Sequence, residues 1–126
     1  MKTCLVVDDS RLVRKVARNI LEGLAFCVEE AVDGQTALDF CAHAMPDAIL
    51  LDWQMPVKDG LQFLQQLRAS DGGALPKVIF CTSMNDLDHI ARAIAVGADE
   101  YIMKPFDADI LREKLEAVGL VGKEPS

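Results

Sequence analysis

The sequence predicts an α/β protein built on a doubly wound parallel sheet, in which five strands alternate with five helices. Three apolar runs are continuous rather than alternating, as expected of parallel strands that are buried on both faces. These runs are residues 4–7, 48–51 and 78–81. Amphipathic stretches at helical spacing separate them. The sequence has no internal repeat with a period of about 20 to 50 residues, which would indicate a solenoid or propeller. This alternation favours right-handed crossovers that place helices on both faces of one sheet.

The first strand is followed by an amphipathic helix. We predict strands at residues 4–7, 26–31, 48–51, 78–81 and 101–103, and helices within residues 11–24, 35–44, 60–68, 87–97 and 110–118. Ser10 can cap the first helix, and Gly23 lies close to its expected end. The apolar stripe of this helix comprises Leu12, Val13, Val16, Ala17, Ile20, Leu21 and Leu24. The stripe predicts a helix packed along the sheet.

The second strand is predicted less strongly, because Glu29 and Glu30 interrupt its apolar pattern. Asp33 and Gly34 form a turn signal before the second helix. The third strand is wholly apolar and is closed by Asp52.

The remaining elements repeat the same alternation. The third helix carries Leu61, Leu64 and Leu67, and a polar loop at residues 70–76 follows it. The stripe of the fourth helix comprises Leu87, Ile90, Ala91, Ile94 and Ala95, and that of the fifth comprises Ile110, Leu111, Lys114, Leu115 and Val118. Gly97 marks the end of the fourth helix. We expect one domain over residues 1–120 and a short polar tail at residues 121–126.

Composition excludes several classes of function. The chain has 13 basic and 20 acidic residues in 126, a formal charge of −7, and no cluster of Lys and Arg to bind a nucleic acid. No apolar run is long enough to span a membrane, so we expect a cytoplasmic protein. Its cysteines, Cys4, Cys27, Cys41 and Cys81, have no metal-binding spacing and are expected to be reduced and buried.

Polar residues follow the strands at the point where each one ends. They are Asp8 and Asp9 after the first strand, Asp52 after the third, Thr82 after the fourth and Lys104 after the fifth. In an open parallel sheet these ends meet at one edge, where ligands bind. Three carboxylates brought together repel one another unless a cation neutralises them, and a site with only oxygen ligands suits Mg²⁺. Thr82 and Lys104 could then bind the oxygens of a phosphoryl group, with Asp52 as the nucleophile.

These motifs resemble those of the receiver domains of two-component response regulators, in particular the stand-alone chemotaxis type. The resemblance covers about residues 3–118. It depends on residues 6–10 (VVDDS), 51–56 (LDWQMP) with Asp59 and Gly60, Thr82 with Ser83, and 97–106 (GADEYIMKPF). It implies a flavodoxin-like fold with the strand order 2-1-3-4-5.

The resemblance also assigns roles to residues of the site. Asp52 would be phosphorylated, and Asp8, Asp9 and the backbone carbonyl of Gln54 would hold Mg²⁺ beside it. Thr82 and Lys104 would contact the phosphoryl oxygens, and the Lys104-Pro105 peptide would be cis. Tyr101 would turn inward as Thr82 moves. A sensor histidine kinase or a histidine phosphotransfer protein would supply the phosphoryl group.

The signal would leave through a protein contact. The resemblance places this contact on the face formed by the fourth helix, fifth strand and fifth helix, and we expect a monomer. The sequence departs from the commonest family pattern at Gln54, Lys58 and Met84. We hypothesise that Met84 neither orients nor activates the water that hydrolyses the acyl phosphate, so the lifetime of the phosphorylated form is specific to this chain.

Other functions share this fold. A phosphorelay shuttle or phosphate sink would use the same residues, and the sequence does not separate it from a signalling output. A flavodoxin-like electron carrier should have a phosphate-binding loop after the first strand, where Asp8 and Asp9 would repel the flavin phosphate. An aspartyl phosphatase usually has a second Asp where this chain has Gln54. His43 and His89 fall in predicted helices, where surface or packing roles are expected.

Overall fold

The computed structural model describes residues 1–55, 57–83 and 87–122. Its strands are β1 (Thr3–Val7), β2 (Cys27–Ala31), β3 (Ala48–Asp52), β4 (Lys77–Thr82) and β5 (Glu100–Met103). Its helices are α1 (Arg11–Gly23), α2 (Gly34–His43), α3 (Gly60–Ala69), α4 (Leu87–Val96) and α5 (Ala108–Ala117). Every predicted strand and helix is present. Asp52 and Thr82, which were expected just beyond their strands, are the last residues of β3 and β4.

The sheet has the order β2-β1-β3-β4-β5, and every neighbouring pair is parallel. The chain therefore places β2 on one side of β1 and then crosses to β3 on the other side. This reversal opens a crevice outside the carboxyl ends of β1 and β3. The predicted fold class and strand order are confirmed.

The core consists of two apolar layers, one on each face of the sheet. In one layer Leu5 and Ile49 pack with Phe63 and other residues of α2, α3 and α4. In the second layer Val6 and Leu50 pack with residues of α1 and α5. Because helices cover both faces, successive residues of β1 and β3 are buried, which explains their continuous apolar runs.

Side-chain caps fix the beginning of four helices. Ser10 accepts a hydrogen bond from the Val13 backbone nitrogen at 3.3 Å. Asp33, Asp59 and Asp107 cap α2, α3 and α5 in the same way, each accepting from a backbone nitrogen three residues later. A capped helix start satisfies backbone donors that the helix itself leaves unpaired.

Some residues of the predicted apolar stripes are exposed. Leu12 is 72% exposed and Val16 41% on α1, and Leu87 is 76% exposed on α4. Ile94 and Ile110, on α4 and α5, are also exposed. The predicted stripes were wider than the buried faces, because a helix that packs on a sheet buries only the residues nearest the sheet. These residues leave apolar surface on the outside of the helices.

The cysteines are free thiols, and three of them are buried. Cys27 is exposed, so the expectation that all four are buried was wrong for this residue. Cys27 begins β2, an edge strand whose burial pattern leaves one side open. Within the described residues, no helix combines the length and apolar character needed to cross a membrane.

Candidate functional site

The register of the sheet brings the polar strand ends together. Val7 pairs with Leu51 across β1 and β3, so the residues that follow them, Asp8 and Asp52, are neighbours at the carboxyl edge. On the other side Asp52 pairs with Cys81 of β4. Thr82 and Lys104 come next along the same edge, where the Lys104 backbone nitrogen donates to the Thr82 carbonyl at 2.9 Å. The acids, Thr82 and Lys104 therefore lie in one crevice, as predicted.

Asp8 is almost fully buried and is fixed at both carboxylate oxygens. Its Oδ1 accepts a hydrogen bond from the Ser10 backbone nitrogen at 2.8 Å. Its Oδ2 accepts from Lys104 Nζ at 2.7 Å. The Asp8 backbone nitrogen donates to the Ala31 carbonyl on β2 at 3.1 Å. Asp8 is thus tied to α1, β2 and β5 at once.

Asp52 lies in the middle of the crevice and is 8% exposed. Its Oδ1 accepts from Lys104 Nζ at 2.8 Å. Burial raises the pKa of the Asp52 carboxyl, and the neighbouring charges of Asp8 and Asp9 raise it further, although Lys104 acts in the opposite direction. The protein therefore holds this carboxylate in surroundings that disfavour its charge.

Lys104 is the cation that partly balances the site. Burial lowers the pKa of Lys104, but its hydrogen bonds to Asp52 and Asp8 more than offset that effect, so the pKa lies above its usual value. The ammonium group stays charged at neutral pH. The peptide bond between Lys104 and Pro105 is cis.

A close approach of the backbone holds the segment after Asp52 in place. The Gly60 nitrogen donates to the Trp53 carbonyl at 3.0 Å, which closes the loop between β3 and α3. A Cβ atom at Gly60 would collide with the Asp52 carbonyl oxygen, so only glycine fits there. Trp53 packs edge-on against Phe80, with ring centroids 5.1 Å apart. The loop can therefore form one wall of the crevice.

Three carboxylates form the anionic side of the crevice. One oxygen from each of Asp8, Asp9 and Asp52 lies within 4.8 Å of the others. Burial raises the pKa of the adjacent Cys81 far above its usual range, which keeps it a thiol and removes it as a soft metal ligand. The donor set is all oxygen and carries more negative charge than Lys104 neutralises. These residues fit a hard divalent cation such as Mg²⁺.

A cavity of about 480 Å³ lies above these groups. Its lining includes Asp9, Asp52, Gln54, Thr82, Ser83 and Lys104. Thr82 is buried at its base, whereas Gln54 and Ser83 are exposed at its rim. The cavity has room for a small anion whose oxygens face a carboxylate cluster on one side and an ammonium group on the other.

Tyr101 lies outside the cavity, on β5. It is half-buried and packs against the core layer that contains α4. Lys114 Nζ lies 4.6 Å from the centroid of its ring and also contacts Glu100 Oε1 at 3.4 Å. Met84, which the sequence placed on the path of the hydrolytic water, lies outside the described residues.

Sequence reasoning missed three features around the site. Arg14 donates to the Asp8 carbonyl, and His89 packs edge-on against Trp53 with ring centroids 4.1 Å apart. An apolar cavity of about 410 Å³ adjoins the site and shares Ser83 and Lys104 with it. Leu12 and Val16 line this second cavity. The sequence signal for this second cavity was an apolar stripe on α1 that is wider than the face the helix buries. No local pattern indicated the contacts of Arg14 and His89.

Comparison with known proteins gives consistent results. A family model described as the response regulator receiver domain matches residues 4–116. The chemotaxis protein CheY of Halobacterium salinarum is 33% identical over 117 residues, which cover 93% of this chain and 96% of that protein. The solved structure of chemotaxis response regulator CheY4 of Vibrio cholerae superposes with a TM-score of 0.88 at 30% identity, covering 94% of this chain and 98% of the other.

A longer relative shows a different arrangement. The response regulator MprA of Mycolicibacterium vanbaalenii is 40% identical over 114 residues, which are 90% of this chain but 48% of MprA. The chain thus spans about half the length of these MprA relatives. The similarity therefore covers the sheet and its crevice, and the rest of MprA has no counterpart in the residues compared.

Proposed function

Because the chain belongs to the family of response regulator receiver domains, we propose that it is a phospho-acceptor switch in which Asp52 receives the phosphoryl group. Receiver domains are phosphorylated by histidine kinases and act on downstream targets. The observation that carries the proposal is the grouping of Asp8, Asp9 and Asp52 within 4.8 Å beside Lys104. Three acids that converge at one edge of the sheet repel one another, which a bound cation would relieve.

In the proposed reaction, a carboxylate oxygen of Asp52 attacks the phosphorus of a phosphohistidine on the donor. An O–P bond forms as the N–P bond breaks, and the leaving imidazole nitrogen keeps the electron pair. Lys104 already holds Asp52 Oδ1, which leaves Oδ2 to attack. Burial and the two neighbouring acids disfavour negative charge at Asp52, and the acyl phosphate carries more negative charge than the carboxylate it replaces. Its formation therefore depends on positive charge from Lys104 and from a divalent cation.

Asp8, Asp9, Asp52 and the backbone carbonyl of Gln54 would hold Mg²⁺. When bound, this ion supplies positive charge that neutralises the carboxylates and the phosphoryl oxygens. Lys104 supplies a second positive charge, and Thr82 can donate a hydrogen bond from its hydroxyl to a phosphoryl oxygen. Thr82 ends β4, and Lys104 directly follows β5, where it already donates to Asp8 and Asp52, so this positive charge is in place before the donor arrives.

The proposed output is a change in protein contacts. Movement of Thr82 toward the phosphoryl group would leave room for Tyr101 to turn inward and reshape the face of α4, β5 and α5. A downstream protein would bind this face, and we propose chemotaxis or a related pathway from the likeness to CheY proteins. We propose further that residues 1–120 act as one monomeric cytoplasmic unit that does not bind nucleic acid, with residues 121–126 as a tail.

Phosphorylation by a small donor tests the proposal without a partner protein. We expect acetyl phosphate with Mg²⁺ to add one phosphoryl group to the chain, as seen by intact mass. The matched variant Asp52→Asn should gain none, and neither chain should gain one in EDTA. Because Trp53 lines the cavity, its fluorescence should change when the natural chain is phosphorylated. The same treatment should leave the fluorescence of Asp52→Asn unchanged. Phosphorylation that persists in Asp52→Asn would show that the acceptor lies elsewhere.

A further inference from the structure

Arg14, on α1, connects the backbone of the site to a carboxylate on β2. Its Nη1 donates to the backbone carbonyl oxygen of Asp8 at 2.7 Å. Its Nε donates to Glu30 Oε1 at 2.9 Å. The Arg14 side chain is 13% exposed, far less than is usual for an arginine on a helix surface. One planar guanidinium therefore joins a carbonyl at the site to a carboxylate on β2.

A second arginine holds the carboxylate in place. Arg18, one turn later on α1, donates from Nε to Glu30 Oε2 at 2.7 Å. Glu30 thus bridges both arginines, one through each oxygen. Hydrogen bonds to Arg18 and Arg14 lower the pKa of Glu30, so it is ionised at neutral pH. Arg18 has no hydrogen bond to Asp8, which makes it a natural control for Arg14.

The carbonyl that Arg14 holds belongs to the peptide between Asp8 and Asp9. That peptide is planar, so fixing the Asp8 carbonyl oxygen fixes the direction in which the chain enters Asp9. The Asp9 side chain is exposed, and no described residue hydrogen-bonds to its carboxylate. Asp8 has its own side-chain contacts, but the position of Asp9 depends on the backbone alone.

We infer that Arg14 is a positioning residue for the acidic pair, in which the guanidinium braced by Glu30 sets the Asp8–Asp9 peptide so that both carboxylates face Asp52. This inference rests on the proposed function, since it concerns the carboxylates that would hold Mg²⁺. Arg14 touches neither the cation nor the phosphoryl group in this role. Its contribution is the orientation of residues that do.

The charge of Arg14 alone predicts the opposite effect. A positive group beside an acidic cluster repels a divalent cation, so removing it without any change in geometry would strengthen Mg²⁺ binding. The positioning role predicts weaker binding when Arg14 is removed. A purely structural role for the salt bridge predicts lower stability with unchanged Mg²⁺ affinity. The three possibilities therefore differ in the sign of one measurement.

The test is a Mg²⁺ titration by calorimetry, with no phosphoryl donor, of the natural chain, Arg14→Gln, Arg14→Lys and Arg18→Gln. We expect the Mg²⁺ dissociation constant to rise about tenfold in Arg14→Gln, as is typical when a group that orients a metal ligand is lost. Arg14→Lys keeps the charge but cannot bridge two acceptors at the same geometry, so it should also bind less tightly. Arg18→Gln leaves both hydrogen bonds of Arg14 in place and removes only one support of Glu30, so its Mg²⁺ affinity should fall much less than that of Arg14→Gln.

Urea unfolding of each chain without Mg²⁺ separates stability from affinity. Unchanged or tighter Mg²⁺ binding by Arg14→Gln would overturn the positioning role, as would equal losses in Arg14→Gln and Arg18→Gln. Normal binding by Arg14→Lys would show that one ammonium donor can replace the guanidinium and that the bridge from the Asp8 carbonyl to Glu30 is not needed, which would also overturn the inference. If the natural chain itself bound no Mg²⁺, the proposed function would fail, which is a distinguishable result.

Discussion

The two edges of the sheet use the same residue type in opposite ways. At the amino edge, where the strands begin, the carboxylates of Asp47 and Asp99 each accept a hydrogen bond from the backbone nitrogen of a neighbouring strand. Asp47 Oδ2 accepts from the Thr3 nitrogen at 2.8 Å, and Asp99 Oδ2 accepts from the Val78 nitrogen at 2.8 Å. Each of these carboxylates accepts from one backbone N–H group, and Asp99 also accepts from Arg68. Hydrogen bonding of this kind stabilises the fold.

At the carboxyl edge, where the strands end, Asp8, Asp9 and Asp52 meet one another and share one ammonium group. The loop that follows Asp52 also contains Val57 at a φ of 70°, a region that β-branched residues rarely adopt. Like charges and an unfavourable backbone angle both reduce the free energy of unfolding. The carboxyl edge therefore destabilises the fold, but it holds the charged groups of the site close together.

The difference shows that position along a strand does not decide what an aspartate does. The number of acids that converge, and whether backbone N–H groups satisfy them, decides it. Measurement can test this comparison. Replacing an acid by asparagine should change the free energy of unfolding in opposite directions at the two edges.

The largest expected effect is at the amino edge, where Arg68 joins three segments. Its guanidinium donates to the carbonyls of Gly73, Gly97 and Pro76 and to the Asp99 carboxylate, at distances of 2.6 to 3.1 Å. Arg68→Met removes all of these donors and leaves the acceptors partly buried. We expect the free energy of unfolding to fall by about 3 kcal/mol in urea titrations.

The matched control for Arg68 is Arg18→Met on the surface of α1. Arg18 also makes two ion pairs, but its partners are carboxylates in solvent, Glu22 at 51% and Glu30 at 32% side-chain exposure. We expect Arg18→Met to cost less than about 1 kcal/mol. Equal losses in the two variants would show that the amino edge depends on packing and not on its hydrogen bonds.

The next effect is a difference of sign between Asp52→Asn and Asp99→Asn. In EDTA, Asp52→Asn should raise the free energy of unfolding by about 1 kcal/mol, because it removes one of three repelling charges while its amide oxygen can still accept from Lys104. Asp99→Asn should lower it by about 1 kcal/mol, because it weakens the bonds from Val78 and Arg68. Urea titrations at pH 7 measure both.

Mg²⁺ provides the internal control for this pair. A ligand that binds only the folded state stabilises it, so Mg²⁺ should stabilise the natural chain and Asp99→Asn more than Asp52→Asn. If Asp52→Asn were destabilising in EDTA, the carboxyl edge would not be under charge repulsion, and the contrast between the edges would be lost.

The sequence predicted the carboxyl edge better than the amino edge, for a physical reason. Asp8, Asp52, Thr82 and Lys104 each follow a continuous apolar run, so the strand pattern alone locates them, and the parallel topology brings them together. Their neighbour relations followed without any knowledge of helix packing. The family resemblance added roles for Gln54 and Tyr101 that no spacing rule supplies.

The contacts of Arg68 and Arg14 could not be predicted in this way. Both side chains lie on helices, where a charged residue between apolar ones is normally predicted to face solvent. Their partners are backbone carbonyls, Gly97 and Asp8, that lie in other segments of the chain and carry no sequence signal. The exposure of Leu12 depends in the same way on how α1 packs against the sheet, which the sequence of α1 alone does not show.

The smallest expected effect concerns Asp33, an acid at the carboxyl edge that lies outside the cluster. Its Oδ1 accepts from the Thr36 backbone nitrogen at 2.7 Å at the start of α2, and this bond lowers the pKa of Asp33 below its usual value. A carboxyl whose pKa is lower in the folded state stabilises the fold above its unfolded pKa of about 4, and loses that effect as the pH falls through the folded pKa.

Asp33→Asn keeps the capping oxygen but removes the charge, so it should unfold slightly more easily than the natural chain at pH 7, by about 0.5 kcal/mol. The difference should shrink below about pH 4 and vanish once Asp33 is protonated in the folded protein. Urea titrations from pH 7 to pH 3 measure it, with Asp71→Asn in the exposed α3–β4 loop as the control that should show no such trend. A difference that stayed constant with pH would mean that α2 is stabilised by the shape of the cap and not by its charge. Asp33 would then resemble the neutral Ser10 cap of α1, and the favourable role of isolated carboxylates would be confined to the amino edge.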